Sequence, residues 1–392
     1  MKIVHVATLI TPDGTYGGPI RVATNLVKEL GTRGHECSLW AGSRGYSPET
    51  RWLDGVSVRL NPARVVLPAL GFATTMAPGM LLRVFADRKG IDLLHIHLAR
   101  DFVTLPAALA ARALRIPYVV QTHGMIGFKA HPLARLFDAV FTRPALRGAA
   151  QILYLTSVEE GDLRLTDPKL TRLSRLGHGI ELPPTSDHAN KTASCEVLFL
   201  ARMHARKRPQ VFVRSAIGVL RRGGDATFRL VGPDEGEVAP TAEQIRRFDH
   251  GGKILYEGAL PQGRTNERIS QCDLYVLPSV NEPFGMSVME AMALGKPVIV
   301  TDSCGLAPYI ESAGAGMVVG PEESELEHAM QHLVECPRLR REMGERGREL
   351  VQREFGIAAV GDRLTRVYQE ALAWSETRTS FRRTVDTSKT TQ

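Results

Sequence analysis

Twice along its length this chain alternates short β-branched runs with helical patterns, and no other feature restricts its fold as much. In the first half the runs read KIVHVAT (2–8), CSLWAG (37–42), VSVRL (56–60), LLHIH (93–97), YVVQTH (118–123) and ILYLTS (152–157). Helical stretches such as IRVATNLVKELGTRG and FVTLPAALAARAL lie between them. This alternation needs crossover connections, so it predicts a parallel sheet covered by helices on both faces. The polar, proline-bearing segment GIELPPTSDHANKTAS then interrupts the pattern and reads as a linker. A second series follows: EVLFLARM, FRLVGPD, KILYEGAL, LYVLPS, PVIVTD and GMVVG. The fold class is therefore α/β, with two tandem Rossmann-like, doubly wound parallel-sheet domains facing a cleft. Ligands of such sheets bind beyond the carboxyl ends of the strands. The length, 392 residues, agrees with two cores rather than one.

Composition narrows the partners. Apolar content of 43% and charged content of 23% are ordinary for a soluble enzyme. A formal charge of +7 favours phosphate-rich ligands, anionic lipid surfaces or nucleic acid. Nucleic acid is set aside, because no reading module or zinc-finger spacing is present and only 6% of residues are aromatic. Five cysteines, an odd number with no C-x-x-C pair, fit reduced thiols better than a disulfide framework or a zinc site. The N-terminal MKIVHVATLITPDG reads as a first strand rather than a signal peptide, and no run is long and apolar enough to span a bilayer. The expected location is cytoplasmic, with peripheral contact to the inner face of the cell membrane allowed.

The densest chemistry lies in NEPFGMSVMEAMALGKPVIV. Glu282 stands just before a helical pattern that Gly285 opens, so the amides of Phe284, Gly285 and Met286 are expected to face outward as a phosphate or sugar cradle. Glu290 falls in the helix body. Eight helical steps between the two glutamates would give about 12 Å of rise, less if the first residues are not helical. A retaining glycoside hydrolase needs its carboxyls about 5 Å apart and an inverting one about 6.5–9.5 Å, so the pair suits the two ends of an extended ligand better than hydrolysis.

The stretch CDLYVLPSVNEPFGMSVMEAMALGKPVIVTD, from Cys272 to Asp302, closely resembles the nucleotide-sugar site of retaining glycosyltransferases of family four, whose signature is a glutamate, seven residues and a second glutamate. The resemblance implies the two-domain GT-B fold, with a last helix that crosses back to the first domain. Together with the polar composition of the linker and of the tail, the expected division is a first domain at 1–182 joined by a helix at about 356–375, a linker at 183–194, a nucleotide-sugar domain at 195–355 and a disordered tail at 376–392. The resemblance also implies that Glu282 meets donor-sugar hydroxyls, that Glu290 meets the ribose, and that the base lies near Gly258, Ala259 and Leu260.

Transfer from a nucleotide diphosphate leaves growing negative charge on phosphate oxygens, which cations or a metal must balance. Arg202 and Lys207, in LARMHARKRP at the end of a strand, stand where the family carries an arginine and a lysine on the diphosphate. Gly18, of the Gly17–Gly18 pair before the first helix, matches the family's paired glycine, although a tight turn explains it equally well. His123, ending YVVQTH, matches a histidine that the family places near the reacting sugar carbon. His95 and His97 share one strand face, but no third ligand is suggested, so they read as strand-end polar residues and no metal is expected. Two departures stand out: His178–Gly179 replaces the family's frequent asparagine–glycine, and SCGLAPYI (303–310) replaces a second glycine and a later glutamate.

The expected activity is that of a metal-independent, retaining glycosyltransferase using a UDP- or GDP-linked sugar, with no cofactor beyond that co-substrate. The acceptor is a glycan, a lipid-linked sugar or a small molecule. A nucleotide-sugar epimerase and a non-catalytic nucleotide-sugar binder share the architecture, whereas a nicotinamide oxidoreductase would need a glycine fingerprint absent from the first strand. In HPLARLFDAVFTRPALRG, Leu133, Leu136, Phe137, Val140 and Phe141 recur at helical spacing beside Arg135, Arg143 and Arg147. That stripe serves either a core or a membrane surface or anionic acceptor.

Overall fold

The computed structural model describes residues 1–12, 17–47, 49–67, 73–183, 194–248, 251–261 and 263–389; for Gly17 and for 378–389 it gives the backbone alone. The chain divides into two units, Met1–Gly179 with Ile357–Gln392, and Ile180–Gly356. Of the expected linker at 183–194, residues 184–193 lie outside the described ones. Ile180 already belongs to the second unit, its amide bonding the Phe355 carbonyl at 2.9 Å.

In the first unit the strands are β1 (Lys2–Ile10), β2 (Glu36–Ser43), β3 (Trp52–Leu53), β4 (Val56–Pro62), the separate pair β5 (Arg64–Val65) and β6 (Thr75–Met76), β7 (Leu93–His97), β8 (Tyr118–Gln121), β9 (Gln151–Tyr154) and β10 (Leu173–Arg175). The large sheet has the order β10-β9-β8-β7-β1-β2-β4-β3, parallel throughout except for the short β3–β4 edge. Its central strands are buried on both faces, which explains why they read as unbroken apolar runs. The chain starts at β1 in the middle, builds outward to β4 and resumes on the other side at β7. The direction of winding thus reverses between β1 and β7, where β-sheets of this type leave a crevice.

The second unit repeats the plan with β11 (Cys195–Leu200), β12 (Ala226–Val231), β13 (Ile254–Gly258), β14 (Leu274–Leu277), β15 (Val298–Thr301) and β16 (Gly316–Val319), in the order β13-β12-β11-β14-β15-β16. All its strand pairs are parallel, and its reversal falls between β11 and β14.

The last helix, Ile357–Lys389, belongs to the first unit. Its Val360, Leu364, Tyr368 and Ala371 are buried with Ile3, Val22, Leu26 and Leu30, a single face at helical spacing. Gly179 packs closely where this helix begins: a Cβ there would lie 2.6 Å from Ile357 Cδ1 and 3.3 Å from Ile357 Cα, so the Ile357 side chain would have to move. The helix runs on through most of the stretch expected to be a disordered tail. No proline or glycine follows Gly361 to stop it.

Candidate functional site

Each unit carries chemistry at its own point of reversal. In the second, Arg202 and Lys207 follow β11, and Glu282 follows β14, the two strands that flank it. Lys207 closes a short 3-10 turn, Ala205–Lys207, whose preceding residue His204 accepts the Arg206 amide at 3.1 Å. Its ammonium ion-pairs with the Glu282 carboxylate, 75 positions away, and only 12% and 9% of these side chains are exposed. The Arg206 carbonyl accepts the Val280 amide at 3.0 Å and ties the two loops together. Arg202 points elsewhere: it bonds Glu235 at 2.7 Å and is more than half exposed.

The glutamate loop is fixed by its own backbone. Gly305 N donates to the Glu282 carbonyl at 2.8 Å, Ser303 Oγ accepts the Asn281 amide at 3.1 Å, and Thr301 Oγ1 donates to the Ser279 carbonyl at 2.5 Å. The departure at 303–310 therefore supports Glu282 rather than loosening it. Gly285 takes φ +53°, a conformation costly for any residue with a Cβ, and starts the helix Met286–Ala293. Val288 and Met289 are the first amides bonded back to its carbonyl. Because the helix starts only at Met286, four steps and about 6 Å of rise lead to Glu290, not eight. Glu282 itself is not helical; it pairs in an isolated bridge with Cys304.

Glu290 is buried on this helix, and Met286 is partly exposed at its start. The Phe284 side chain is core, set edge-to-face against Phe355 at 5.5 Å, and so does not face a ligand. Gly258 ends β13 at φ +87°, its carbonyl accepting the Gly232 amide at 2.9 Å; Ala259 is exposed and Leu260 half-buried. The Tyr275 hydroxyl, which sequence reasoning missed, donates to the Leu200 carbonyl (2.8 Å) and is hydrogen-bonded to Ser287 Oγ (2.7 Å). It thereby locks the end of β11 to the first turn of the helix. Burial raises its pKa, with Glu290 and Glu282 adding to the rise.

In the first unit Gly18 lies exposed in the first turn of the helix Gly17–Thr32, and a Cβ there would meet nothing within 4 Å. His123 follows β8 in the left-handed region, φ +50°. The loop after it hangs on buried Glu159, which accepts from Gly124 N (2.5 Å), Thr122 Oγ1 (2.5 Å) and Leu155 N (2.6 Å). Burial pushes the Glu159 carboxyl up. Its signal in sequence is the spacing Thr156-x-x-Glu159 that opens the helix Ser157–Thr166, and Thr156 Oγ1 does accept the Glu159 amide at 3.3 Å.

The reading of His95 and His97 needs correction. His97 does end β7, but both residues are fully buried and belong to a histidine cluster that spans the reversal point and includes a third member, His5. β1 and β7 pair His5 with His95 in register, and the nitrogens of His5, His95 and His97 lie within 4.8 Å of one another. His5 was beyond reach of local pattern, since only the strand order brings it there.

The amphipathic stripe also divides. Phe137 and Phe141 turn inward, edge-to-face on Phe102 at 5.9 and 6.3 Å. Leu133, Leu136 and Val140 are by contrast 70%, 61% and 53% exposed, and Lys129 and Arg135, near them in sequence, are exposed as well. Arg143 and Arg147 are instead committed, to the Thr166 carbonyl and to Asp167.

Two winding reversals, one of them beside a buried Lys–Glu pair and a glycine-opened helix start, mark a two-domain α/β protein of the class whose ligands bind at the carboxyl ends of the strands. Residues 186–350 match the family described as Glycosyl transferases group 1, and residues 17–177 match the Glycosyl transferase 4-like domain. The chain belongs to this glycosyltransferase family, of GT-B, family 4 type, and is a glycosyltransferase. It is 27% identical to the alpha-D-kanosaminyltransferase of Streptomyces kanamyceticus, over 76% of this chain and 84% of that protein. It is 25% identical to the D-inositol 3-phosphate glycosyltransferase 2 of Catenulispora acidiphila, over 94% of each. In fold it is similar to Anabaena HepE solved with UDP and glucose (TM-score 0.74, 17% identity, 94% of this chain and 99% of that one). A glycosyltransferase of Rickettsia africae is similar to the same degree (TM-score 0.75, 16% identity, 95% and 99%). Among the described residues no helix is long and apolar enough to cross a membrane.

Proposed function

We propose that this glycosyltransferase takes its sugar from a nucleoside-diphosphate sugar, UDP- or GDP-linked, and delivers it with retained anomeric configuration to an acceptor hydroxyl. The observation that carries the reading is the Lys207–Glu282 pair at the reversal of the second sheet, beside the helix start at Gly285. In this reading Lys207 and Arg202 balance the charge on the departing diphosphate, Glu282 accepts from sugar hydroxyls and Glu290 from the ribose, while Gly258 to Leu260 border the base. The Arg202–Glu235 pair is exposed, so opening it for phosphate costs little. The bond from the anomeric carbon to the phosphate breaks, the acceptor oxygen bonds that carbon from the same face, and the acceptor proton passes to the phosphate oxygen. Cationic side chains and backbone amides supply the stabilisation in place of a resident metal.

The Anabaena structures solved with UDP and with UDP-glucose support a nucleotide-sugar donor, and the inositol 3-phosphate relatives support a polyhydroxylated acceptor. The exposed Leu133–Leu136–Val140 face, flanked by Lys129 and Arg135, supports peripheral contact with an anionic membrane. The test is a donor screen by nucleotide release, followed by NMR of the product's anomeric centre. Retained configuration is expected; an inverted linkage, or donor turnover with no acceptor present, rejects the reading.

A further inference from the structure

The buried histidines of the first unit form one continuous hydrogen-bonded chain. His178 Nε2 meets His123 Nδ1 at 2.9 Å, and His123 Nε2 meets His97 Nδ1 at 2.7 Å. His97 Nε2 meets His5 Nδ1 at 3.1 Å, and His5 Nε2 meets the Tyr368 hydroxyl at 3.3 Å. That hydroxyl meets His95 Nδ1 at 2.7 Å. The elements involved are β1, β7, the ends of β8 and of the first segment at His178, and the C-terminal helix.

A neutral imidazole has one N–H and one acceptor nitrogen, so each ring in such a chain must donate at one side and accept at the other. Fixing one proton fixes all of them. The Tyr368 hydroxyl has one proton, and we assign it to the shorter of its two contacts, 2.7 Å to His95, which leaves the 3.3 Å contact to be donated by His5. Tyr368 therefore donates to His95 and accepts from His5. His5, His97, His123 and His178 follow in turn, each carrying its proton on Nε2.

His97 and His123 have both ring nitrogens occupied within the chain, and the rings stack at centroid distances of 4.6 Å (His95 and His97) and 5.0 Å (His97 and His123). The His5, His95 and His97 nitrogens lie within 4.8 Å of one another, so a metal ion is the rival occupant of this cluster; against it, His5 Nδ1 and His97 Nε2 bond each other at 3.1 Å. Every ring is buried, and burial lowers each pKa, to about 3 for His95 and His178, which keeps the chain uncharged.

We propose that Tyr368, acting through His5 and His97, is a positioning residue that holds His123 in one neutral tautomer and one ring orientation, with His178 bracing the other side. The C-terminal helix thereby takes part in the transfer site, and His123 serves through its fixed placement rather than as an acid or base. The inference rests on the proposed reading that His123 belongs to that site.

The test uses the full chain with 15N-labelled histidine and long-range 1H–15N correlation, the buried rings assigned with single His→Gln variants. The wild type is expected to show Nε2–H tautomers for these rings, unchanged from pH 6 to 9. Tyr368→Phe removes one oxygen and keeps the packing. It should turn His123 into a mixture of tautomers and lower kcat about tenfold, the weight of roughly one hydrogen bond, with donor KM nearly unchanged. An unchanged His123 tautomer in folded Tyr368→Phe overturns the proposal, even if activity falls. A stoichiometric transition metal that co-purifies and erases these N–H signals until chelated also overturns it. Normal transfer by folded His123→Ala would instead reject the functional reading of His123, leaving the tautomer result to stand or fall by itself.

Discussion

Lys207 neutralises Glu282 inside the second unit, an ion pair between loops 75 positions apart with about a tenth of each side chain in contact with solvent. A buried pair of this kind is weak evidence for net stability, but removing one partner strands the other charge. Lys207→Ala should therefore both abolish transfer, by about a hundredfold or more, and cost about 3 kcal/mol of stability. The double variant Lys207→Ala/Glu282→Gln should regain much of that stability and none of the activity. Urea midpoints and nucleotide release measure the two effects; a single variant with near-normal turnover would take Lys207 out of the site.

Gly18 and Gly232 make opposite predictions from the same substitution. Space around Gly18 is open and its helix favours alanine, so Gly18→Ala should leave stability unchanged or raise it by up to about 1 kcal/mol. If donor or acceptor approaches the backbone there, kcat/KM falls nonetheless. A Cβ on Gly232 would stand 1.8 Å from the Ala201 carbonyl oxygen at φ +150°, so Gly232→Ala should fail to fold. Equal melting temperatures for the two variants would contradict this account.

The strands of both sheets were readable because burial on two faces leaves an apolar run with no polar alternation to obscure it. The glutamate loop was readable for a different reason: its glycine, its carboxylates and its helix start are neighbours in sequence. What failed was non-local. His5 and His95 are adjacent only because β1 pairs with β7, and Tyr368 reaches them from a helix that returns after the whole second unit. Periodicity placed Phe137 and Leu136 on one stripe, but one step of rotation separates core from solvent, and Phe102 decides which is which. Arg202 and Lys207 looked equivalent by spacing, yet the two loops pair Lys207 with Glu282 and Arg202 with Glu235.

The neutral histidines make the fold acid-sensitive. In the unfolded chain a histidine takes up its proton near pH 6.5, whereas burial holds His5, His95, His97, His123 and His178 well below that value. Between 6.5 and the folded values, about 3 for His95 and His178, the unfolded state binds more protons. Their contribution to stability is thus complete above 6.5 and is lost as pH falls. Each such histidine removes about 1.4 kcal/mol per pH unit below 6.5. The urea midpoint should drop steeply from pH 7 to pH 5.5, and His178→Gln should flatten the slope. A midpoint that rises on acidification would show the rings to be charged in the native state.

The divided stripe gives a membrane test that stability cannot confound. Within 128–140 the one acidic residue, Asp138, is buried against Arg100 at 2.8 Å, so the outer face offers Phe128, Lys129, Leu133, Arg135, Leu136 and Val140 with no exposed carboxylate among them. Apolar side chains flanked by basic ones are what an anionic bilayer surface holds. Serine at 133, 136 and 140 together should cost little stability, because these side chains are already in water, whereas Phe137→Ala should cost about 2–3 kcal/mol through its packing on Phe102. In flotation with vesicles of one-third anionic lipid, the wild type and Phe137→Ala should rise with the lipid and the triple serine variant should stay below. Lys129→Ala/Arg135→Ala should bind less as well, and raised salt should weaken the wild type in the same direction. Equal flotation by the triple serine variant would assign the exposed face no part in membrane contact.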